Sequence, residues 1–130
     1  MNAIQSENLA RRLAELADDK KAEDIVVLDM RGLVAYTDYL AICTARNDRQ
    51  AGAIVDEVRV RLKAESGLLP SGGDGGTDAG WVIVDYLDSV LHVFTPEARE
   101  RFALEDLWHE APRLEIDFSA PEAPPSAASA

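Results

Sequence analysis

The sequence predicts a single α/β domain, a sandwich in which helices flank a mixed β-sheet. Three observations predict it. Apolar residues recur at helical spacing in two long segments. Short runs rich in β-branched residues lie between and after them. Some of those runs are joined by a tight turn and others through a helix, so antiparallel and parallel neighbours coexist. A chain of 130 residues, 47% of them hydrophobic, holds one such domain and buries a core without disulfides or metals.

The first helix is expected to start at an N-cap on Ser6 and to bury Leu9, Leu13, Leu16 and Ala17, ending in the charged run Asp18, Asp19, Lys20, Lys21. Residues 24–30 (DIVVLDM) form a continuous apolar run, expected as a strand buried on both faces, and residues 39–44 (YLAICT) form a second. Asn47 or Asp48 caps the second helix, with Gln50 placed for a capping box. Ala51, Ile54, Val55, Val58 and Leu62 line its buried face, and Gly67 stops it. Leu68, Leu69 and Pro70 are expected to begin a short edge strand.

Residues 71–80 contain five glycines and predict a mobile loop. Two adjoining strands follow at 81–86 and 90–95, with a tight turn at Leu87 and Asp88. Alternation puts Trp81, Ile83 and Asp85 on one face and Val82, Val84 and Tyr86 on the other; in the next strand His92 and Phe94 share a face with Val90. Pro96 suits the first turn of a third helix. Phe102, Leu104, Leu107 and Trp108 are expected to pack from it and from a short terminal helix. The domain therefore spans residues 1–118. Residues 119–130, mostly Pro, Ala and Ser, read as a disordered tail.

Charge narrows the function classes. With 24 acidic and 13 basic residues the net charge is −11, and only three of the basic residues are Lys. A chain that wraps nucleic acid needs clustered cations to displace counterions, so direct nucleic-acid binding is disfavoured. An acidic surface keeps a protein soluble and also steers it towards a basic protein partner. Cys43 is the sole cysteine, so no intramolecular disulfide forms. No signal-peptide pattern and no apolar run of ~20 residues is visible, which points to the cytoplasm.

Candidate chemistry is sparse. The glycines at 72, 73, 75 and 76 lack the Lys of a phosphate-binding loop and read as a connector. Asp29, Asp38, Asp85 and Asp88 lie near strand ends, where converging carboxylates hold Mg²⁺ in phosphoryl-transfer enzymes. Asp85 belongs to a strand and Asp88 to the turn, however, and Asp88 reads as a residue that bonds local turn amides. Cys43 with His92 or His109 lacks a third orienting group; Cys43 reads as an inert small hydrophobe and His92 as a packed or interface residue. No catalytic residue, cofactor or metal is expected. Trp81, Tyr86, Phe94, Phe102 and Trp108 supply either core or interface, and Trp81, following the loop, is expected near the surface.

Several spaced motifs, in order, resemble one family. They are KAEDIVVLD at 21–29, DYLAICT at 38–44, DRQ at 48–50, IVDEV at 54–58, WVIVDYLDSVLHVF at 81–94 and LEDLW at 104–108. Together they make the chain similar to the Iojap-like, ribosomal silencing factor family over roughly the ordered domain. The resemblance implies a nucleotidyltransferase-like α/β fold serving as a binding module without catalysis. It implies docking on the large ribosomal subunit through ribosomal protein L-fourteen, which blocks joining of the small subunit and represses translation when nutrients are short. It also implies a homodimer when free, and its organelle relatives act in large-subunit assembly. On this reading Trp81, Asp85, Tyr86, Asp88, His92 and Phe94 supply or support the docking surface, with aromatic groups giving area and acids matching basic side chains. The alternatives are a large-subunit assembly factor without silencing, and a metal-dependent nucleotidyltransferase drawn from the same implied fold. The sequence departs from the family in three places. Many members carry Gly where Leu87 stands, residues 71–80 are unusually glycine-rich, and the tail looks like an addition. A positive φ would strain Leu by roughly 1–2 kcal/mol, so a different turn type is expected there.

Overall fold

Two helices form where the apolar spacing places them in the computed structural model, which describes residues 5–71, 75–76, 80–116 and 118. Helix α1 (Ser6–Asp19) buries Leu9, Ala10, Leu13, Ala14, Leu16 and Ala17. Helix α2 (Asp48–Ser66) buries Ala51, Ile54, Val55, Val58 and Leu62. Its start is closed by Asn47, whose Oδ1 accepts the Gln50 N–H at 2.9 Å. Gln50 answers one residue earlier than a capping box requires, since its Oε1 accepts the N–H of Arg46 at 2.6 Å. Its amide nitrogen also donates to the carbonyls of Lys20 and Lys21, tying the end of α1 to the start of α2.

The strands are β1 (Glu23–Asp29), β2 (Tyr39–Thr44), β3 (Gly75–Gly76), β4 (Trp81–Asp85) and β5 (Ser89–Phe94). They lie in the order β1-β2-β5-β4-β3. The β2–β5 pair is parallel and the other three pairs are antiparallel, which makes the sheet mixed. Every residue of β2 and β5 is buried, as two central strands require. Strand β4 alternates between half-buried and buried positions. Helices α1 and α2 cover one face, against Val27, Tyr39, Ala41, Cys43, Val82, Val84, Tyr86, Leu91 and Val93. The opposite face is covered more thinly, by α3 (Pro96–Phe102), α4 (Leu104–Leu107) and the segment around Ala111. Thr95 caps α3, accepting the Ala98 N–H, and Pro96 occupies its first turn. Residues 112–114 run along β1: Asp29 N–H donates to the Pro112 carbonyl and Leu114 N–H to the Val27 carbonyl, both at 2.8 Å.

Four local expectations change. The N-cap of α1 is Gln5, without a side-chain bond; Ser6 is already helical, and its carbonyl accepts the Ser89 hydroxyl at 3.0 Å. Leu68 to Pro70 form no strand. Gly67 takes a left-handed φ of 67°, and Leu68 N–H turns back to the Leu62 carbonyl, so the helix ending consumes the amide a strand would need. The edge pairing comes instead from Gly75 and Gly76, opposite Val82 and Trp81. Leu107 is not a packing residue but is 63% exposed. The tail at 119–130 and most of the glycine-rich loop lie outside the described residues.

The fourth change concerns Leu87, which adopts the glycine-like conformation after all, with φ of 70°. The Asp88 N–H donates to the Tyr86 carbonyl at 2.8 Å, closing a γ-turn on Leu87. Asp85 Oδ1 accepts the Leu87 N–H at 2.7 Å, and Tyr86 N–H meets the Ser89 carbonyl. These bonds over-determine the backbone, and strain is tolerated where the surroundings do so. Because the Leu87 side chain is exposed, it offsets little of that strain. Leu87→Gly is therefore expected to raise the stability to chemical denaturation by about 0.5–1 kcal/mol, after allowing for glycine's greater unfolded-state entropy. A loss of stability would show that the leucine side chain packs in a way that outweighs the strain.

Candidate protein-docking site

Antiparallel pairing of β4 with β5 sets Trp81 opposite Phe94, Ile83 opposite His92 and Asp85 opposite Val90. Alternation sends all six side chains to the face that α1 and α2 do not cover. The result is an aromatic plate. The Trp81 ring lies 5.0 Å from Phe94, 4.5 Å from Phe102 and 5.8 Å from His92, centroid to centroid. Its indole N–H donates to His92 Nδ1 at 3.0 Å. Phe94 is buried at the floor, Trp81 and Ile83 are half-buried, and Phe102 is 36% exposed at the rim. The Arg101 guanidinium sits 5.9 Å from the Phe102 ring centroid. Tilted aromatic pairs of this kind contribute about 0.5–1.5 kcal/mol each beyond their buried area.

Two carboxylates belong to the end of the plate. Asp85 is half-buried and holds the turn through the Leu87 N–H. That role was expected of Asp88. Asp88 instead contributes its backbone carbonyl, which accepts the N–H groups of Asp38 and Tyr39 at 2.9 and 3.2 Å, and it remains exposed. Tyr86 does not join the plate. Even parity puts it on the α1–α2 side, 7% exposed, with its hydroxyl buried and, among the described residues, without a partner. The structure therefore brings together Trp81, Asp85, His92 and Phe94, puts Asp88 at the adjoining turn, and sets Tyr86 apart.

Phe102 and Ile83 are the residues of this face that sequence reasoning left out of the docking set. Ile83 carried a signal, since it alternates with Trp81 and Asp85. Phe102 carried none, because only the fold of α3 back onto the sheet brings it to Trp81.

The other candidate chemistries come apart. Cys43 faces the α1–α2 layer while His92 faces the plate, so the sheet separates thiol from imidazole. Burial pushes the Cys43 thiol up to about 12. Asp29 is paired with Arg31 at 2.7 Å, which holds its carboxyl below the usual carboxylate range. His109 is exposed just past the end of α4, with its Nδ1 3.3 Å from the Asp106 carbonyl. Among the described residues, no group of three or more His, Cys, Asp or Glu side chains is placed to hold a metal ion. None of the described helices is long and apolar enough to cross a membrane.

Burial pushes the His92 imidazole down to about 4, against a smaller opposing attraction from Asp85. The folded chain thus holds His92 neutral, whereas the unfolded chain takes up a proton below pH ~6.5. Stability from this group is present above pH ~6.5 and is lost as the pH falls towards 4, by up to about 3 kcal/mol. Denaturation midpoints measured from pH 7 to pH 4 are expected to fall more steeply for the parent than for His92→Gln. Parallel slopes would show that His92 contributes nothing to acid sensitivity.

Comparisons with known proteins agree on one family. Residues 3–130 match the family model described as "Ribosomal silencing factor during starvation". The ribosomal silencing factor of Bacillus subtilis is 37% identical over 115 residues, covering 88% of this chain and 97% of that protein. A mouse protein named for mitochondrial assembly of the ribosomal large subunit is 34% identical over 100 residues, covering 74% of this chain and 43% of the mouse protein. A crystal structure of a Chromobacterium violaceum protein superposes with a TM-score of 0.77 at 29% identity, covering 95% of this chain and 99% of that one. Motif order, fold and these likenesses converge, and the chain belongs to the ribosomal silencing factor family.

Proposed function

We propose that the chain is a non-enzymatic binding protein that docks on the large ribosomal subunit through the Trp81 plate. There it blocks association with the small subunit and represses translation when nutrients are limiting. The observation that carries this reading is the plate itself: Trp81 half-buried and Phe102 exposed over a buried Phe94, with Asp85 and Asp88 at the far end, on the thinly covered face of a sheet, in a chain of net charge −11. Large aromatic anchors supply buried area, and acids favour a basic partner protein over ribosomal RNA. The partner in this reading is ribosomal protein L-fourteen. About 800 Å² per partner makes a standard interface and fits on one domain of this size. Blocking then needs only occupancy and bulk. The same reading takes the sandwich as nucleotidyltransferase-like in shape, the compartment as the cytoplasm, and the free protein as a homodimer.

A second reading has support from the mouse relative's name: a large-subunit assembly factor without silencing. It predicts association with precursor particles and no effect on the joining of mature subunits. The third, a metal-dependent nucleotidyltransferase, predicts that Mg²⁺ or nucleotide raises the thermal midpoint, because a ligand of the native state stabilises it.

Co-sedimentation with isolated large subunits, followed by addition of small subunits, separates these readings. Saturable binding with reduced joining is the expected result; binding without reduced joining favours assembly. The double variant Trp81→Ala, Asp88→Ala is expected to bind at least ~30-fold more weakly, since loss of an anchoring aromatic costs about 2 kcal/mol or more. Its circular dichroism should match the parent's. Unchanged affinity would move the site to another face.

A further inference from the structure

Trp81 constrains the chemistry of His92 as well as its position. An indole N–H only donates, so the ring nitrogen it meets must be bare. With the Trp81 N–H 3.0 Å from Nδ1, a neutral His92 carries its proton on Nε2. The donor cannot wander, because Trp81 is held between Phe94 and Phe102 and faces Phe94 in the strand register. The imidazole is 8% exposed, and burial opposes a second proton. Nε2 has no hydrogen-bond partner among the described residues. Among the described residues it is not one of the buried side-chain polar atoms that lack a partner, the Tyr39 and Tyr86 hydroxyls. His92 shares its face of the sheet with Trp81, Ile83 and Phe94, so an N–H that no described residue claims is left to the plate.

We propose that Trp81 locks His92 in the Nε2–H tautomer, so that His92 offers the docking partner one fixed, directional donor whose match is a neutral carbonyl oxygen. This deepens the docking reading and rests on it. A desolvated N–H left unmatched under a partner costs more than the bond it replaces, so the partner must bring an acceptor. A cationic side chain brings only donors. A carboxylate or phosphate brings an acceptor but meets Asp85, which His92 senses electrostatically, and the exposed Asp88 at the next turn. A neutral carbonyl satisfies the donor without that repulsion. The basic side chains of the same partner are left to the carboxylates. His92 thereby discriminates register within a basic surface that charge alone would recognise loosely.

The test has two arms. Long-range ¹H–¹⁵N spectra of the histidine-labelled chain at pH 7 are expected to show His92 as the Nε2–H tautomer, and Trp81→Phe is expected to shift it towards a tautomer mixture. An Nδ1–H or imidazolium pattern in the parent would overturn the lock whatever the chain binds. For the second arm, affinity for isolated large subunits is measured for two variants. His92→Asn keeps an acceptor for the indole and loses the outward donor; His92→Gln carries an amide N–H to the Nε2 position. Asn is expected to weaken binding about tenfold or more, and Gln to stay within about threefold of the parent. Equal binding by Asn and the parent, or equal losses in Asn and Gln at unchanged thermal midpoints, would overturn the donor role. If the parent does not bind large subunits, the docking reading fails and the carbonyl assignment falls with it, while the first arm still reports the tautomer.

Discussion

The parallel register of β2 with β5 is the constraint on which the rest of the structure depends. Tyr39 pairs with Ser89 and Thr44 with Phe94, and all the residues between them are buried on both faces. Backbone bonds pin both ends: the Asp38 and Tyr39 amides to the Asp88 carbonyl, and the Ala45 amide to the Phe94 carbonyl. Side chains in a strand have a period of two, so a slip of one residue would exchange the faces of a whole strand. In β4 such a slip would drive Trp81 under α1 and α2 and turn Val82 outwards. The aromatic plate is thus a consequence of register, which two fully buried strands fix firmly.

Coverage of the sheet is unequal, and the proposed docking face is the thinly covered one. One face carries two long helices, whose Leu13, Leu16, Ile54 and Leu62 are fully buried. Truncating such a leucine to alanine typically costs 2–5 kcal/mol, so this layer carries most of the stability. The other face carries a seven-residue helix and a four-residue helix. Arg99 anchors them, donating to both carboxylate oxygens of Glu105 and to the Thr44 hydroxyl. These short elements leave Trp81 and Ile83 half-covered, apolar area that the proposed docking partner would cover without unfolding anything.

Features set by neighbours in sequence were legible, and features set by neighbours in space were not. Asn47, Gly67 and Pro96 act within one helical turn, so their types announced them. Alternation in β4 placed Trp81, Ile83 and Asp85 together before any fold was known. It also placed Tyr86 opposite them, although which face the helices cover is decided by the chain's return path rather than by parity. Phe102 reaches Trp81 only through that path. Leu68 looked like a strand because its neighbours are apolar, yet its amide was already claimed by the end of α2. Leu87 resisted prediction for the opposite reason: three local bonds hold a backbone its side chain disfavours.

The pairing of residues 112–114 along β1 has a consequence for synthesis. Strand β1 leaves the ribosome early but acquires its outer partner only when the Pro112 carbonyl and the Leu114 amide arrive, more than eighty residues later. Until then its outer edge presents unpaired amides and carbonyls beside Val27 and Leu28, the kind of edge that recruits other chains. At ~5–20 residues per second that interval lasts several seconds. A nascent chain of this protein therefore passes through a sticky stage that the finished fold conceals.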